Sequence, residues 1–209
     1  MIFLLGGPPR VGKSVISGEI RKKYAVSVVS TDSLGAALEN VLNPEATPDL
    51  FVFDKFNKMP LAERVQLITK YPSELVGYVK KESRVVWKAV EAFARRENNE
   101  GRDALIEGVA ILPELMSRLE DITHRAVFIG NQGENHLENI KRFAEENEND
   151  WMRNVNDQYI SVFAVFVKRM SAYIEQEAKK YGFEYIDIDE ELFGNVTEKV
   201  IRSLGLIAK

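Results

Sequence analysis

The stretch GPPRVGKS at residues 7–14 decides the fold of this chain of 209 residues. It fills every fixed position of the pattern G-x-x-x-x-G-K-[ST], follows an apolar run at residues 1–5 and precedes a helical pattern that begins near Lys13. Glycines at both ends let the backbone wrap closely around phosphate oxygens, where a Cβ atom would be in the way. The backbone N–H groups and the positive end of the following helix would then face the phosphates. The stretch therefore predicts a phosphate-binding loop, or P-loop.

Two residues at the end of the loop carry the predicted chemistry. Lys13 can reach the β- and γ-phosphates of a nucleoside triphosphate, and the Ser14 hydroxyl can ligate Mg²⁺. The alternative is a Gly/Pro turn with no ligand, but the strand before the loop and the helix after it favour phosphate binding. The predicted nucleotide contacts are Gly7, Pro8, Pro9, Arg10, Val11, Gly12, Lys13, Ser14 and Val15.

The composition excludes several classes of protein. The chain is 45% hydrophobic and 29% charged with a formal net charge of -4, which is ordinary for a globular domain and suits one domain over residues 1–209. No apolar run approaches the roughly 18 residues of a membrane span. The absence of cysteine excludes disulfides and thiolate chemistry. With a strand and a P-loop where a signal peptide would lie, we expect a cytoplasmic protein with neither a membrane nor a nucleic acid as partner.

Two carboxylates follow predicted strands. Asp32 comes after the β-branched run at residues 25–30, where a helix begins, and Glu107 lies near the end of a strand at residues 103–108. Ligands of open α/β sheets bind outside the carboxyl ends of the strands, so both acids are candidate catalytic groups. Glu107 also has the form of a Walker-B-like carboxylate, and with Ser14 it is a candidate ligand of Mg²⁺. The alternatives are that Thr31 or Asp32 caps the helix and that Glu107 merely ends a strand.

Residues 43–98 are predicted to form a helical region that binds the substrate. The turn formers and scattered phenylalanines of residues 43–58 indicate a loop or mobile cover, and helices are predicted at about 60–70 and 72–96. Glu82 interrupts the apolar face of the longer helix. It is either paired in the core or directed into a substrate pocket, and the sequence leaves both alternatives open.

Residues 134–158 are predicted to form a lid, with a solvated helical hairpin as the alternative. Phosphoryl transfer benefits from a cation that reaches the γ-phosphate when a lid closes, and Arg142 and Arg153 are the candidates. His136 is interpreted as a packed side chain. The lid leads into a long helix at about 155–181, for which Gly182 is a natural C-terminal residue.

The order of elements predicts the fold class. Strands at residues 125–130 and 183–187 complete a set of five that alternates with helices, so we expect an α/β fold with a mostly parallel sheet and right-handed crossovers. A last helix is predicted to begin at Asn195, with Glu198 completing a capping box. The nucleotide base is expected near residues 188–195.

This layout resembles the P-loop kinases of small molecules, such as the nucleoside-monophosphate, shikimate and gluconate kinases. The resemblance implies a three-layer P-loop NTPase fold with strand order 2-3-1-4-5, and ATP and Mg²⁺ as cofactors. The segments GGPPRVGKS, IEGV (106–109) followed by LP (112–113), VFIGNQ (127–132) and NDW (149–151) are similar to 2-phosphoglycerate kinase-like proteins. By this resemblance Lys13 and Ser14 hold ATP and Mg²⁺. Asp32 or Glu107 orients or deprotonates the acceptor hydroxyl, and Arg142 and Arg153 clamp the phosphates.

Two functions are compatible with these patterns. The first is a phosphotransferase that moves the γ-phosphoryl group of ATP to a hydroxyl or phosphate of a small molecule. The alternative is a nucleotide-dependent switch or regulatory ATPase without a small-molecule acceptor. The chain lacks the guanine-reading motif N-K-x-D, which disfavours a GTPase. The sequence names no acceptor and leaves open whether the apolar helices support a homodimer.

Overall fold

The computed structural model describes residues 1–146, 148, 150, 152–190 and 193–206. Within them, five strands form one sheet in the order β2-β3-β1-β4-β5, and every neighbouring pair is parallel. The strands are β1 (Ile2–Gly6), β2 (Ser27–Ser30), β3 (Ala104–Gly108), β4 (His124–Gly130) and β5 (Glu184–Asp187). The α/β class, the parallel sheet and the strand order implied by the resemblance are confirmed.

Helices cover both faces of the sheet. They are α1 (Lys13–Lys23), α2 (Thr31–Val41), α3 (Val52–Lys58), α4 (Leu61–Lys70), α5 (Pro72–Asn99), α6 (His136–Glu146), α7 (Asp157–Tyr181) and α8 (Phe193–Leu204), with 3₁₀ turns at Pro113–Leu119 and Ile188–Glu190. Helix α1 contacts α8, while α5 contacts α2 and α7, so two helical layers enclose the sheet. None of the helices described is both long and apolar enough to cross a membrane.

The main core lies on both sides of the central strands. All residues of β1 and β3 are buried, as expected for parallel strands that helices cover on both faces. Trp87 of α5 and Phe128 of β4 are among the largest fully buried side chains. On the apolar face of α5 that was predicted to contain Leu75, Val79, Val86, Val90 and Phe93, the first four are buried and Phe93 is half-buried.

A second, smaller core lies between α6 and the start of α7. It consists of the buried side chains of Ile140, Ala144, Met152 and Ile160, which cluster separately from the main core. The segment between the two helices therefore has apolar packing of its own.

The prediction of an irregular loop over residues 43–58 is wrong in its second half, where the chain forms α3. The aromatic residues are the reason. Phe56 is buried, and Phe53 packs edge-on against Tyr78 of α5 with ring centroids 6.2 Å apart. Burial of these rings against α5 stabilises a helix that local turn formers do not predict.

The structure corrects two interpretations of helix caps, the alternative that Thr31 or Asp32 caps α2 and the capping box predicted at Asn195. The Ser30 side chain accepts a hydrogen bond from the Ser33 backbone N–H at 3.1 Å, so Ser30, rather than Thr31 or Asp32, caps α2. Ser30 still has the extended backbone of β2, which a capping residue requires. Helix α8 begins at Phe193, so Asn195 lies inside its first turn and does not form a capping box. The predicted end of α7 at Gly182 is confirmed, and Gly182 has a left-handed conformation with φ 76°.

Candidate functional site

The strand register brings the predicted site residues to one edge of the sheet. Glu107 on β3 lies beside Leu5 of β1 on one side and beside Ser30 of β2 on the other. The P-loop leaves the end of β1, and α2 leaves the end of β2. The P-loop, Glu107 and the start of α2 therefore meet at the carboxyl edge, where ligands of such sheets bind.

The two fixed glycines of the P-loop have different structural reasons. A Cβ atom on Gly7 would lie 2.4 Å from the carbonyl oxygen of Ile129 on β4, so the loop can cross the neighbouring strand only without a side chain there. Gly12 has φ 84°, a left-handed conformation that glycine adopts at little cost. The sequence predicted both glycines from the need for clearance around phosphates. The approach of β4 adds a second reason that only the fold reveals.

Helix α1 begins immediately after Gly12. The backbone N–H groups of Val15 and Ile16 donate to the Gly12 carbonyl at 3.0 and 3.1 Å and form the first helical hydrogen bonds. The N–H groups of Lys13 and Ser14 precede them and have no partner inside the helix, as at any helix N-terminus. The loop thus presents backbone donors at the positive end of a helix dipole, an arrangement suited to phosphate.

Lys13 is a buried cation in this loop. It is 7% exposed, and its Nζ atom donates a hydrogen bond to the Pro8 carbonyl oxygen at 2.7 Å. Burial lowers the pKa of Lys13 to about 8, while attraction to Glu107 and Asp32 acts in the opposite direction. The ammonium group is therefore still mostly protonated at neutral pH, with little water around it. A polyanion at the loop would meet a poorly solvated positive charge.

Glu107 and Ser14 form the predicted metal pair. The Ser14 hydroxyl donates to Glu107 Oε1 at 3.4 Å, and Glu107 is 6% exposed. Burial raises the pKa of Glu107, Lys13 opposes that rise, and the charge of Asp32 adds to it. Both groups are hard oxygen ligands, which Mg²⁺ prefers. No cluster of three or more His, Asp or Glu able to hold a metal occurs in the described part of the chain. The donor set thus fits Mg²⁺ held by few protein groups, with phosphate and water as its other ligands.

The sequence has distant relatives of known name. No protein-family model matches it. A protein named 2-phosphoglycerate kinase from Pyrococcus horikoshii is 27% identical over 208 residues, which cover 96% of this chain and 65% of the relative. A protein of the same name from Thermococcus kodakarensis is 24% identical over 190 residues, which cover 90% of this chain and 61% of the relative. The chain spans less than two thirds of the length of either relative.

Comparison with solved structures identifies the fold. The shikimate kinase from Bacteroides thetaiotaomicron superposes with a TM-score of 0.52 over 99% of each chain, at 14% sequence identity. The chain has a P-loop kinase fold. Sequence identity this low shows the fold alone. The chemistry of the site follows from its own residues.

Asp32 lies beside the loop in this P-loop kinase fold. It is an exposed residue of the first turn of α2, and its charge shifts the pKa values of Lys13, Glu107 and Glu82. An exposed carboxylate within electrostatic reach of the P-loop lysine is accessible to an acceptor. The structure therefore brings four of the predicted site residues together: Lys13, Ser14, Asp32 and Glu107.

Glu82 is half-buried on α5 and faces other acids. Burial, together with the charges of Glu39, Asp32 and Asp54, raises its pKa to about 7. No salt bridge among the described residues includes Glu82. The sequence left open whether Glu82 is paired in the core or directed into a substrate pocket. A pairing of Glu82 with a cation is therefore not found among the described residues.

We expect Glu82→Gln to stabilise the fold at high pH. The pKa of Glu82 in the folded state, about 7, is above its ordinary value of 4.5, so its contribution to stability is complete below pH 4.5 and is lost as the pH rises through 7. The variant should unfold with a free energy higher than the parent by roughly 1–3 kcal/mol at pH 8 and by little at pH 4.5. Urea unfolding across this range measures the difference. Glu198→Gln, an exposed change on α8, is the control and should show no such trend.

No contact of the predicted lid arginines with this centre is found among the described residues. Arg142 is exposed on α6 and donates to Asn139 Oδ1 at 3.1 Å, and Arg153 is exposed before α7. Over the residues that the structure describes, no hydrogen bond or ion pair links either guanidinium to the P-loop. Their phosphate-clamping role remains a prediction. Asn147, Asn149 and Trp151 of the predicted lid, including two of the three residues of its NDW segment, lie outside the described residues.

The cation that does join the P-loop to the segment after α6 is Arg10. Its guanidinium forms a two-point ion pair with the Asp150 carboxylate. Sequence reasoning placed Arg10 in the P-loop but missed this contact, because 140 residues separate the partners and no local pattern relates them.

The interpretation of His136 as a packed side chain is confirmed, since it is 3% exposed and burial lowers its pKa to about 4.

The loops after β4 and β5 are joined by a hydrogen bond from the Gln132 backbone N–H to Asp187 Oδ2 at 3.1 Å. The expected base-binding stretch, 188–195, begins as a 3₁₀ turn, and its residues Glu191 and Leu192 lie outside the described residues.

Proposed function

We propose that this chain is an ATP-dependent phosphotransferase that moves the γ-phosphoryl group to a hydroxyl or phosphate of a small molecule, as 2-phosphoglycerate kinase-like proteins do. The observation that carries the proposal is the convergence of Lys13, Ser14 and Glu107 at the N-terminus of α1, beneath a loop of backbone donors. A switch protein needs a P-loop as well. The exposed Asp32 beside the phosphate site favours an enzyme, because transfer to an acceptor hydroxyl needs a carboxylate that the acceptor can reach.

The residues divide the work of in-line transfer. Lys13 and the backbone N–H groups of the P-loop hold and orient the triphosphate. Mg²⁺, held by Ser14 and Glu107, would neutralise charge on the β- and γ-phosphates when bound. Asp32 orients the acceptor hydroxyl and receives its proton as the new oxygen–phosphorus bond forms, while the bond from the γ-phosphorus to the β-γ bridging oxygen breaks and ADP leaves. Arg142 and Arg153 are proposed to approach the phosphates when residues 134–158 close as a lid.

The acceptor class is proposed from the relatives. Two proteins similar to this chain are named 2-phosphoglycerate kinase, so phosphoglycerates and other small hydroxy acids are the first candidates. We propose that residues 43–98 form one wall of the acceptor pocket within a single domain. A cytoplasmic location agrees with ATP as substrate and with a chain that has no cysteine.

The test is a binding screen followed by a transfer assay. A ligand that binds only the folded state raises the apparent stability, so thermal unfolding with Mg-ATP and one acceptor at a time reports binding. Transfer of labelled phosphate from ATP to a stabilising acceptor would support the proposal. Stabilisation by Mg-ATP alone, without transfer to any phosphoglycerate, sugar acid, shikimate, nucleoside or nucleotide, would favour the regulatory ATPase instead.

Asp32→Asn is expected to lower kcat by about 10²-fold, because a positioned general base contributes at least that much. The KM for ATP should change little, since Asp32 is assigned to the acceptor and not to the nucleotide. Steady-state kinetics with both substrates varied measure the two effects. The exposed Asp49→Asn change in residues 43–58 is the control. Equal kcat values for Asp32→Asn and the parent would exclude Asp32 as the base.

A further inference from the structure

The Arg10–Asp150 ion pair connects two parts of the molecule that are distant in sequence. Arg10 lies in the P-loop, while Asp150 lies between α6 and α7. Both nitrogens of the guanidinium fork contact the two carboxylate oxygens, and the side chains are only 13% and 5% exposed. The Arg10 guanidinium also lies 6.0 Å from the centre of the Phe143 ring on α6. A two-point contact of this kind restrains orientation as well as distance.

Asp150 is itself anchored in the smaller core. Its Oδ1 atom accepts a hydrogen bond from the Met152 backbone N–H at 2.8 Å. Met152 is fully buried together with Ile140 and Ala144 of α6 and Ile160 of α7. Asp150 therefore belongs to a packed unit made of α6 and the start of α7, and its carboxylate connects this unit to the P-loop.

Arg10 has an unusual backbone conformation. Its φ is 66°, and among the described residues it is the only one other than glycine with a positive φ. Such a conformation is unfavourable for a side chain of this size and persists only where neighbouring contacts enforce it. The ion pair with Asp150 fixes the far end of this side chain, so the left-handed loop residue is tied to the segment after α6.

An unpaired Asp150 carboxylate would repel phosphate bound at the P-loop. In the ion pair, however, the carboxylate is neutralised by the guanidinium, which also holds the pKa of Asp150 below its ordinary range. The direct repulsion of phosphate is therefore small, and the restraint on the loop remains.

We propose that Asp150 is a positioning residue for nucleotide binding. Through Arg10 it docks the α6–α7 unit onto the P-loop and holds the loop in its phosphate-binding conformation. This inference rests on the proposed function for nucleotide binding but not for phosphoryl transfer. ATP binding and the docked position of the α6–α7 unit then stabilise each other, as linkage requires.

The central test compares Asp150→Asn with Arg10→Asn. Asparagine at 150 keeps the Oδ1 acceptor for Met152 and removes the charge, and asparagine at 10 tolerates a left-handed backbone while removing the guanidinium. Each change should weaken Mg-ATP binding about tenfold by titration calorimetry. The double variant should be no weaker than either single variant, because both changes break the same contact. Arg10→Lys, which keeps the charge but not the fork, should give an intermediate loss.

A control pair lies in the same unit. Lys141 of α6 and Asp157 of α7 form a salt bridge of 3.2 Å that does not involve the P-loop. Asp157→Asn should therefore leave the affinity for Mg-ATP unchanged. A comparable loss in this variant would mean that any disturbance of the unit weakens binding, which would overturn the specific role of Asp150.

Hydrogen exchange of the unmodified protein provides a test that needs no variant. Mg-ATP should slow exchange both in the P-loop and in α6, and in Asp150→Asn the protection should be confined to the P-loop. Unchanged or tighter ATP binding by Asp150→Asn would show that the carboxylate only neutralises Arg10, and the inference would be wrong.

If the unmodified protein binds no Mg-ATP, the proposed function fails together with this inference. If it binds and transfers phosphate while Asp150→Asn binds ATP equally well, only the inference fails.

Discussion

Lys13→Met is expected to reduce phosphoryl transfer by about 10³-fold, the largest loss that we expect from a single side chain. The Lys13 ammonium group is buried at the base of the P-loop, where low solvation strengthens its interaction with phosphate charge that develops during transfer. Methionine keeps most of the aliphatic stem and removes the charge. The loss should therefore come from electrostatics and not from packing. Single-turnover transfer of labelled phosphate from ATP measures it directly.

The fold of the Lys13→Met variant should survive. Burial lowers the pKa of Lys13 to about 8, and it outweighs the attraction of Glu107 and Asp32, so the charged lysine is held at a cost in the nucleotide-free protein. Thermal unfolding without nucleotide should show a stability at least close to that of the parent. Lys22→Met, at an exposed position of the same helix, is the control and should keep full activity. Transfer by Lys13→Met within about threefold of the parent would contradict the assigned role.

Glu107→Gln is expected to cause a loss of the same order, about 10³-fold, through Mg²⁺. Glutamine has the same size and can still accept from the Ser14 hydroxyl, but it lacks the charge that attracts a divalent cation. The concentration of Mg²⁺ needed for half-maximal activity should rise steeply. Binding of metal-free ATP should stay equal or become tighter, because a carboxylate near the phosphates has been neutralised.

This opposite effect on metal-free binding separates a metal ligand from a purely structural acid. Burial raises the pKa of Glu107, so replacing it by a neutral side chain is not expected to destabilise the fold at neutral pH. Glu184→Gln, at an exposed position of β5, is the control and should leave the Mg²⁺ dependence unchanged. An unaltered Mg²⁺ requirement in Glu107→Gln would remove Glu107 from the metal site.

Local patterns predicted the elements that depend on residues close together in sequence. The P-loop was found because its glycines, Lys13 and Ser14 act within one turn between a strand and a helix. The central strands β1 and β3 were found because parallel strands covered on both faces are apolar runs, and the edge strand β2 was found from its β-branched residues. Helix ends were less certain, because adjacent polar residues such as Ser30 and Asp32 are all good caps and the extended backbone of β2 decides between them.

Tertiary contacts decided what these patterns could not. The second half of residues 43–58 is helical because its aromatic rings are buried against α5. Glu82 has a raised pKa because packing buries it on α5 and places it near acids of α2 and α3. The link between the P-loop and Asp150 joins residues 140 positions apart. Such pairings depend on how elements pack, and no spacing along the chain encodes them.

The sequence by itself thus determined the class of fold, the phosphate-binding loop and the two carboxylates at the ends of strands. Each of these depends on the chemistry of neighbouring residues and on the rule that the carboxyl ends of parallel strands share an edge. Only the tertiary structure decided which charges meet at that edge. It buried Lys13 and Glu107 together, left Asp32 exposed, and paired Arg10 of the P-loop with Asp150 of the segment after α6, while Arg142 and Arg153 are exposed. Burial and long-range electrostatics arise from packing, so they can be determined only once the positions of the helices on the sheet are known.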